Sequence, residues 1–408
     1  MDFKCAEDEK KSETIKEFVK EISYYILDTI GEKKIKSIIL TGSTGRGEAS
    51  AININGEIKI LSDFDFMVVT SNIKWSKLRN VCKVLSKDLT NKMKTRGLLS
   101  HICITATTPF FLKILKPSIR NNEFKKLDKV VWGEDSLRHV RFFKTEKIPK
   151  MDAIELINNR MAEHLENQFQ NNELYFSYYL NSKYVIDTAR SLLAFENQFK
   201  YKYSERPQQI NILFKKLNLN IFLPMNYPKF IEIWTKFKLN PDIEEIEKRY
   251  IELKNLGKND DIFQSMCRDT SEILLKVWLY EVTDLLKEKK VEYPESEYIK
   301  YLIKKYVNSN TNFLKALIVS TLFFLDNRKE IHNAFYMIKQ MKHPKILINA
   351  SLISLLSYQY TLDKEFLLLS YKFISCFDKK VKKNINWEYL AKKTVEWWGK
   401  IESYYVKA

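Results

Sequence analysis

The sequence predicts an α+β protein: an N-terminal domain built on a mixed β-sheet, followed by a large all-helical region. Three observations carry that expectation. Short apolar runs bounded by turn residues crowd residues 36–70 and 98–105, a pattern that suits strands. From Met151 onward apolar positions recur at helical spacing instead. Only nine glycines and nine prolines occur in 408 residues, so sharp turns are few and long helices are favoured. A chain of this length outgrows a single core. The expected divisions are 1–149 for the sheet domain, 150–290 for a helical domain that walls a substrate, and 291–408 for a C-terminal helical domain.

Residues 12–30 place Ile15, Phe18, Val19, Ile22 and Ile26 on one helical face, and Gly31 ends the run. Lys36–Leu40 reads as a buried strand that turns out at Thr41-Gly42-Ser43. Asn55-Gly56 between alternating isoleucines is a hairpin signal, so residues 51–60 read as a small β-ribbon. Ile60–Thr70 is the next expected strand. A helix over roughly 74–94 follows, with Trp75, Leu78, Val81, Cys82, Leu85 and Leu89 inward. Leu98–Thr105 reads as a third strand, Pro109–Leu115 as a short helix, and Val130–Asp135 as a closing strand. Beyond Pro149 the expected helices are 150–169, 173–197, 242–256, 260–289, 295–308, 312–326, 329–341, 345–359, 364–376 and 386–404. Prolines 207, 224, 228, 241, 294 and 344 are read as loops.

Lys+Arg 68 against Asp+Glu 51 gives a net charge of +17, which attracts polyanions or nucleotides. The basic residues are dispersed, so solvated helix faces are preferred over a dedicated nucleic-acid groove. The five cysteines, Cys5, Cys82, Cys103, Cys267 and Cys376, lie far apart with no CxxC or Cys/His metal spacing. They read as reduced and cytoplasmic. The charged first residues do not resemble a signal peptide, and Ala316–Leu325 is too short an apolar run to span a bilayer.

The chemistry concentrates in Ile38–Thr70, which carries GSTGRGE and, some twenty residues later, SDFDFMVV. In an extended strand residues two apart share a face, so Asp63 and Asp65 aim together with Cα atoms about 6.6 Å apart. Paired carboxylates are hard oxygen ligands suited to Mg²⁺. Gly42 lets the backbone approach a phosphate, and Ser43 with its neighbouring amides can donate to it. Arg46 adds a planar cation to the same place.

These residues resemble the DNA polymerase β-like nucleotidyltransferases, in particular the minimal and antibiotic-type branch, over about residues 36–135. The resemblance implies that Asp63 and Asp65 are catalytic ligands of Mg²⁺, with Mn²⁺ as a substitute. It also implies that Gly42 and Ser43, with Arg46 and Glu48 after them, hold the phosphates of a nucleoside triphosphate. A nucleoside monophosphate would pass to a hydroxyl on a small molecule or protein, with release of pyrophosphate. Nucleic acid is the less favoured acceptor, and no membrane partner is expected. The family's third carboxylate is missing: at its strand stands Ser100-His101-Ile102-Cys103-Ile104. His101 could serve as the base or be a passive strand residue, and Glu48, Asp128, Glu134 or Asp135 could supply charge from elsewhere. The alternative function is a weak or inactive nucleotide- or RNA-binding protein that keeps the fold.

Further along, Lys183, Asp187 and Arg190 share a helix face, which suits either nucleotide phosphates or a self-neutralising solvent face. Tyr175, Tyr178 and Tyr179 read as packing. Arg160 and His164 stand four apart, facing substrate or forming part of a surface ion pair with Glu163 or Glu155. Trp387, Trp397, Trp398, Tyr404 and Tyr405 read as packing that docks the last helix.

Overall fold

In the computed structural model the described residues are 3–71, 75–170, 172–257, 261–288, 294–309, 344–376, 381 and 386–405. The helices expected at 312–326 and 329–341, and the side chains of Trp75, Tyr404 and Tyr405, lie outside them. The chain is α+β, with a small mixed sheet and many helices. Its contacts group it into two compact units that interleave in sequence. Unit 1 comprises Met1–Ala153, Glu173–Leu217 and Pro228–Lys258; unit 2 comprises Ile154–Asn172, Asn218–Tyr227 and Asn259–Ala408. The sequence reading divides the chain consecutively, whereas these contacts draw later helices into the unit that holds the sheet.

In unit 1, helix α1 (Glu9–Ile30) starts at Asp8, whose side chain accepts from the Lys11 amide, and stops at Gly31 with φ +94°. Strand β1 (Ile35–Thr41) passes directly into a single helical turn, α2 (Gly42–Gly45). The ribbon forms as expected from β2 (Ala51–Ile54) and β3 (Glu57–Ile60). Asn55 and Gly56 both take positive φ, and the Asn53 side chain accepts from the Gly56 amide. Strand β4 is Phe64–Thr70, four residues shorter than the expected Ile60–Thr70, because Ile60 belongs to the ribbon. Helix α3 (Trp75–Lys94) leads to β5 (Ile102–Thr107), and β6 spans Lys129–Gly133.

The sheet order is β5-β4-β1-β6, with β4 antiparallel to β1, β5 parallel to β4 and β6 antiparallel to β1. Both faces are covered. Ile38, Leu40, Phe64, Phe66 and Val68 pack with α1 and α3 residues such as Phe18, Ile22, Leu78 and Leu89. Ile39 and Val69 face Leu112, Phe124 and Val140. Burial on both sides explains why these strands read as continuous apolar runs rather than alternating ones.

Unit 1 also contains helices that the sequence reading missed: α4 (Pro109–Lys113) was expected, but α5 (Ile119–Leu127) was not. Helix α6 (Lys150–Asn167) belongs mostly to unit 2; in unit 1, α7 (Leu174–Phe195) is followed by α8 (Arg206–Lys216) and α9 (Tyr227–Leu239), placed over two of the prolines read as loops. Pro207 and Pro228 sit in first turns, where the missing N–H has no helical partner to lose. Helix α10 (Ile243–Lys254) completes the unit.

Unit 2 is helical. Its long helices α11 (Ile262–Leu285) and α12 (Glu295–Ser309) join the helices Pro344–Thr361, Glu365–Ile374 and Trp387–Tyr405. Trp278 and Tyr306 meet edge to face at 5.6 Å in its core. Among the described residues no helix is long and apolar enough to cross a membrane.

Candidate active site

The sheet's topology gathers the site at one end. Thr41 pairs with Asp65 across β1 and β4, so the chain leaves β1 into the Gly42-Ser43 turn beside that carboxylate. The approach is so close that a Cβ on Gly42 would stand 2.7 Å from Asp65 Oδ2, and Gly42 has φ +73°. Only glycine satisfies both conditions. Gly45 is equally constrained, since a Cβ there would meet the Leu40 carbonyl oxygen at 2.3 Å.

Asp63 precedes β4 rather than lying in it, and its neighbours fix its direction. Lys183 Nζ of α7 donates to Asp63 Oδ2 at 3.0 Å, and the Tyr179 hydroxyl lies 3.5 Å from Oδ1. Burial disfavours ionisation here, but the Lys183 ammonium and then His101 outweigh it and hold the Asp63 carboxyl well below the usual range. Asp65 goes the other way. Burial, and then the charge on Asp63, push it upward against Arg120, Lys183 and His101. One of the two carboxyls is thus held ionised and the other resists ionisation, the condition that a divalent cation relieves. Two neighbouring carboxylates, one held ionised and the other raised by burial and by its neighbour's charge, fit Mg²⁺ as ligands.

Ser43 Oγ lies 3.4 Å from Ser62 Oγ. Ser62 in turn accepts from the Ser50 amide at 2.8 Å and from Lys238 Nζ at 3.4 Å. Lys238, near the end of α9, is fully buried and also donates to Ser50 Oγ at 2.7 Å and to the Glu48 carbonyl at 3.3 Å. Burial pushes its ammonium down to about 7, against the pull of Asp63. Sequence reading missed Lys238 and Tyr179 as site residues. Lys238 carries no motif of its own, and its helix was obscured by Pro228.

Arg46 and Glu48 are near the turn but face inward. Arg46 Nη1 contacts Glu123 Oε2 at 3.0 Å, its Nε lies 3.5 Å from Glu48 Oε2, and Nη2 donates to the Tyr203 hydroxyl at 3.2 Å. Glu123 also receives Arg190 at 2.5 Å and Arg206 at 3.2 Å. The charge of Glu123 keeps Arg46 protonated in spite of burial, while burial raises Glu48 above the usual range. Glu48 Oε1 accepts the Tyr203 amide at 2.7 Å, so this buried cluster braces the turn from behind.

The face of α7 expected to be either phosphate-binding or self-neutralising is not open: Asp187 is buried and pairs with Arg190 at 3.8 Å, while Lys183 reaches Asp63 and Arg190 also reaches Glu123. His101 is exposed, just before β5, and its carbonyl accepts the Phe64 amide. Cys103 is the residue paired with Asp65 on β5. Burial pushes its thiol up to about 11, so it is a neutral neighbour where the resemblance implied a third acid. Asp128, just ahead of β6, is buried near the same sheet end, whereas Glu134 and Asp135 follow β6 at the far end beside Ser37 and Lys36.

Among the described residues, three carboxylates cluster within 4.8 Å at Glu297, Asp363 and Glu365 in unit 2. Lys300 already lies 2.5–3.2 Å from all three. No family model matches the chain, and no curated protein matches it.

Proposed function

We propose that unit 1 is a nucleotidyltransferase acting on a nucleoside triphosphate and a hydroxyl-bearing small molecule or protein. One observation carries the reading: the Gly42-Ser43 turn is pressed against Asp65, with space at residue 42 for a hydrogen only. A glycine-serine turn in that position offers backbone N–H groups and a hydroxyl to phosphate oxygens beside two carboxylates. Bound there, Mg²⁺ would position the α-phosphate and offset the charge of departing pyrophosphate.

Asp63 and Asp65 would hold that ion. Lys183, now on Asp63, stands within reach of the triphosphate once the carboxylate has another cation. Exposed His101, beside the carboxylates, would accept the proton of the acceptor hydroxyl. Tyr179, Ser62 and Lys238 would keep Asp63 and Ser43 in register. Arg46 and Glu48 would act from behind the turn.

A second reading is supported by Cys103, a neutral thiol next to Asp65, and by the Lys183 to Asp63 ion pair. Under it the protein binds nucleotides or RNA and turns them over slowly or not at all. Incubation with each of four labelled nucleoside triphosphates and a cell extract separates the two. Magnesium-dependent pyrophosphate release with a labelled acceptor supports the transferase. Saturable, salt-sensitive RNA binding without pyrophosphate release supports the binder.

A further inference from the structure

Unit 2 holds a cavity of about 610 Å³, lined in part by members of a chain of hydrogen-bonded neutral side chains. Gln359 Nε2 donates to Gln168 Oε1 at 2.8 Å. That leaves the Gln168 amide nitrogen to donate to His164 Nε2 at 3.1 Å, so this ring nitrogen is the unprotonated one. Ser271 Oγ lies 2.8 Å from the same nitrogen and 3.3 Å from Gln359 Oε1. His164 is fully buried, and desolvation pushes it down to about 4 against a backbone hydrogen bond at Cys267. The imidazole is therefore neutral at physiological pH, and the Ser271 hydroxyl has three acceptors in reach: His164 Nε2, Gln359 Oε1 and the Cys267 carbonyl.

Three of these residues, Gln168, Ser271 and Gln359, line the cavity. Each amide keeps a second N–H without a partner among the described residues, and each carbonyl keeps acceptor capacity. The lining also includes Tyr358, Tyr360 and Trp387, the last of which packs its ring against Phe169 at 5.6 Å. Charge on the lining is nearly balanced: Arg268 stands with Asp269 and Glu272, and Glu272 is paired with Lys276 at 2.8 Å. A balanced lining gives a triphosphate nothing to bind, whereas amides beside aromatic rings suit an uncharged planar ligand that is read along its edge and stacked on its face. The volume lies in the range of small-molecule sites and exceeds what one ring fills.

We infer that this cavity binds a nucleobase-bearing, unphosphorylated ligand, with the Gln168 and Gln359 amides on the base edge and Trp387 against its face. The site is separate from the carboxylates of unit 1 and does not rest on the transferase reading. Calorimetric titration of the full chain with adenosine, guanosine, cytidine and uridine tests it. At least one nucleoside should bind saturably, and Gln359→Ala and Trp387→Leu should each weaken it tenfold or more. The Asp63→Asn/Asp65→Asn double variant should bind it as the wild type does. Melting curves establish that each variant is folded, and the two single variants act on different helices, so the loss of one to misfolding leaves the other as the test. Three results overturn the inference: no saturable binding of any of the four, binding unchanged in both cavity variants, or binding lost in the carboxylate variant.

Discussion

Around Asp63 and Asp65 the protein buries charge beside charge, whereas around His164 it buries a neutral chain of amides, a hydroxyl and an imidazole. The first region is built where a strand, a turn and helix side chains meet at a sheet end; the second is built on helices alone. At the sheet end, opposite charges are brought in from α7, and one carboxyl is depressed while its neighbour is raised. In the helical unit, burial pushes His164 down against a backbone hydrogen bond at Cys267. Buried charge needs a partner, whereas a buried neutral network needs only hydrogen-bond geometry.

The contrast is tested most severely by Asp63→Asn with Asp65→Asn. Magnesium-dependent pyrophosphate release should fall at least a thousandfold, or about 4 kcal/mol, while circular dichroism stays native. Wild-type turnover in that variant would remove the charged site from the comparison.

Glu123→Ala should be nearly as costly, but in stability rather than chemistry. It strips the shared partner from Arg46, Arg190 and Arg206, and removing one member of a buried ion cluster costs about 3–5 kcal/mol in a urea melt. A loss below about 1 kcal/mol would mean that the cluster is not the brace described.

For His164 the expected effect is about 3 kcal/mol and depends on pH. Its folded value, about 4, lies below the ordinary 6.5. Between these values the unfolded chain binds the proton and the folded one does not, so stability is present above pH 6.5 and declines as pH falls toward 4. His164→Gln should flatten that part of the stability profile, and an unchanged slope would assign the acid sensitivity elsewhere. Asp63 contributes with the same sign from a lower window, its stability being lost as pH falls through its depressed value. Asp65 has the opposite sign, because its raised carboxyl is relieved by protonation.

The smallest effect concerns the turn. Gly45→Ala places a methyl against the Leu40 carbonyl, an overpacking worth about 2 kcal/mol by thermal melt. The substitution leaves the helical unit's network untouched, so His164's pH response should survive it.

Much of the architecture was legible along the chain. The Asn55-Gly56 hairpin, the strand carrying Phe64–Thr70, and helices such as α1, α7 and α11 follow from turn residues and from period-2, continuous or helical apolar patterns. The prolines of α8 and α9 misled because a first-turn proline and a loop proline look alike locally. Gly42, Ser43, Asp63 and Asp65 were visible as neighbours because one turn, one strand and the residue just before it carry them within 24 residues. Lys183's meeting with Asp63 spans 120 residues, and Lys238's with Ser62 spans 176. Such pairings leave no periodic trace.

By itself, then, the sequence determined many of the described elements, the α+β class and the local half of the candidate site, because backbone preference and apolar spacing act over a few residues. The tertiary structure alone decided that Arg46 faces inward to Glu123, that Cys103 stands beside Asp65, and that His164 is sealed and neutral in a helical core. Those outcomes depend on which distant side chains share a low-dielectric space, and only the packed chain brings them into it.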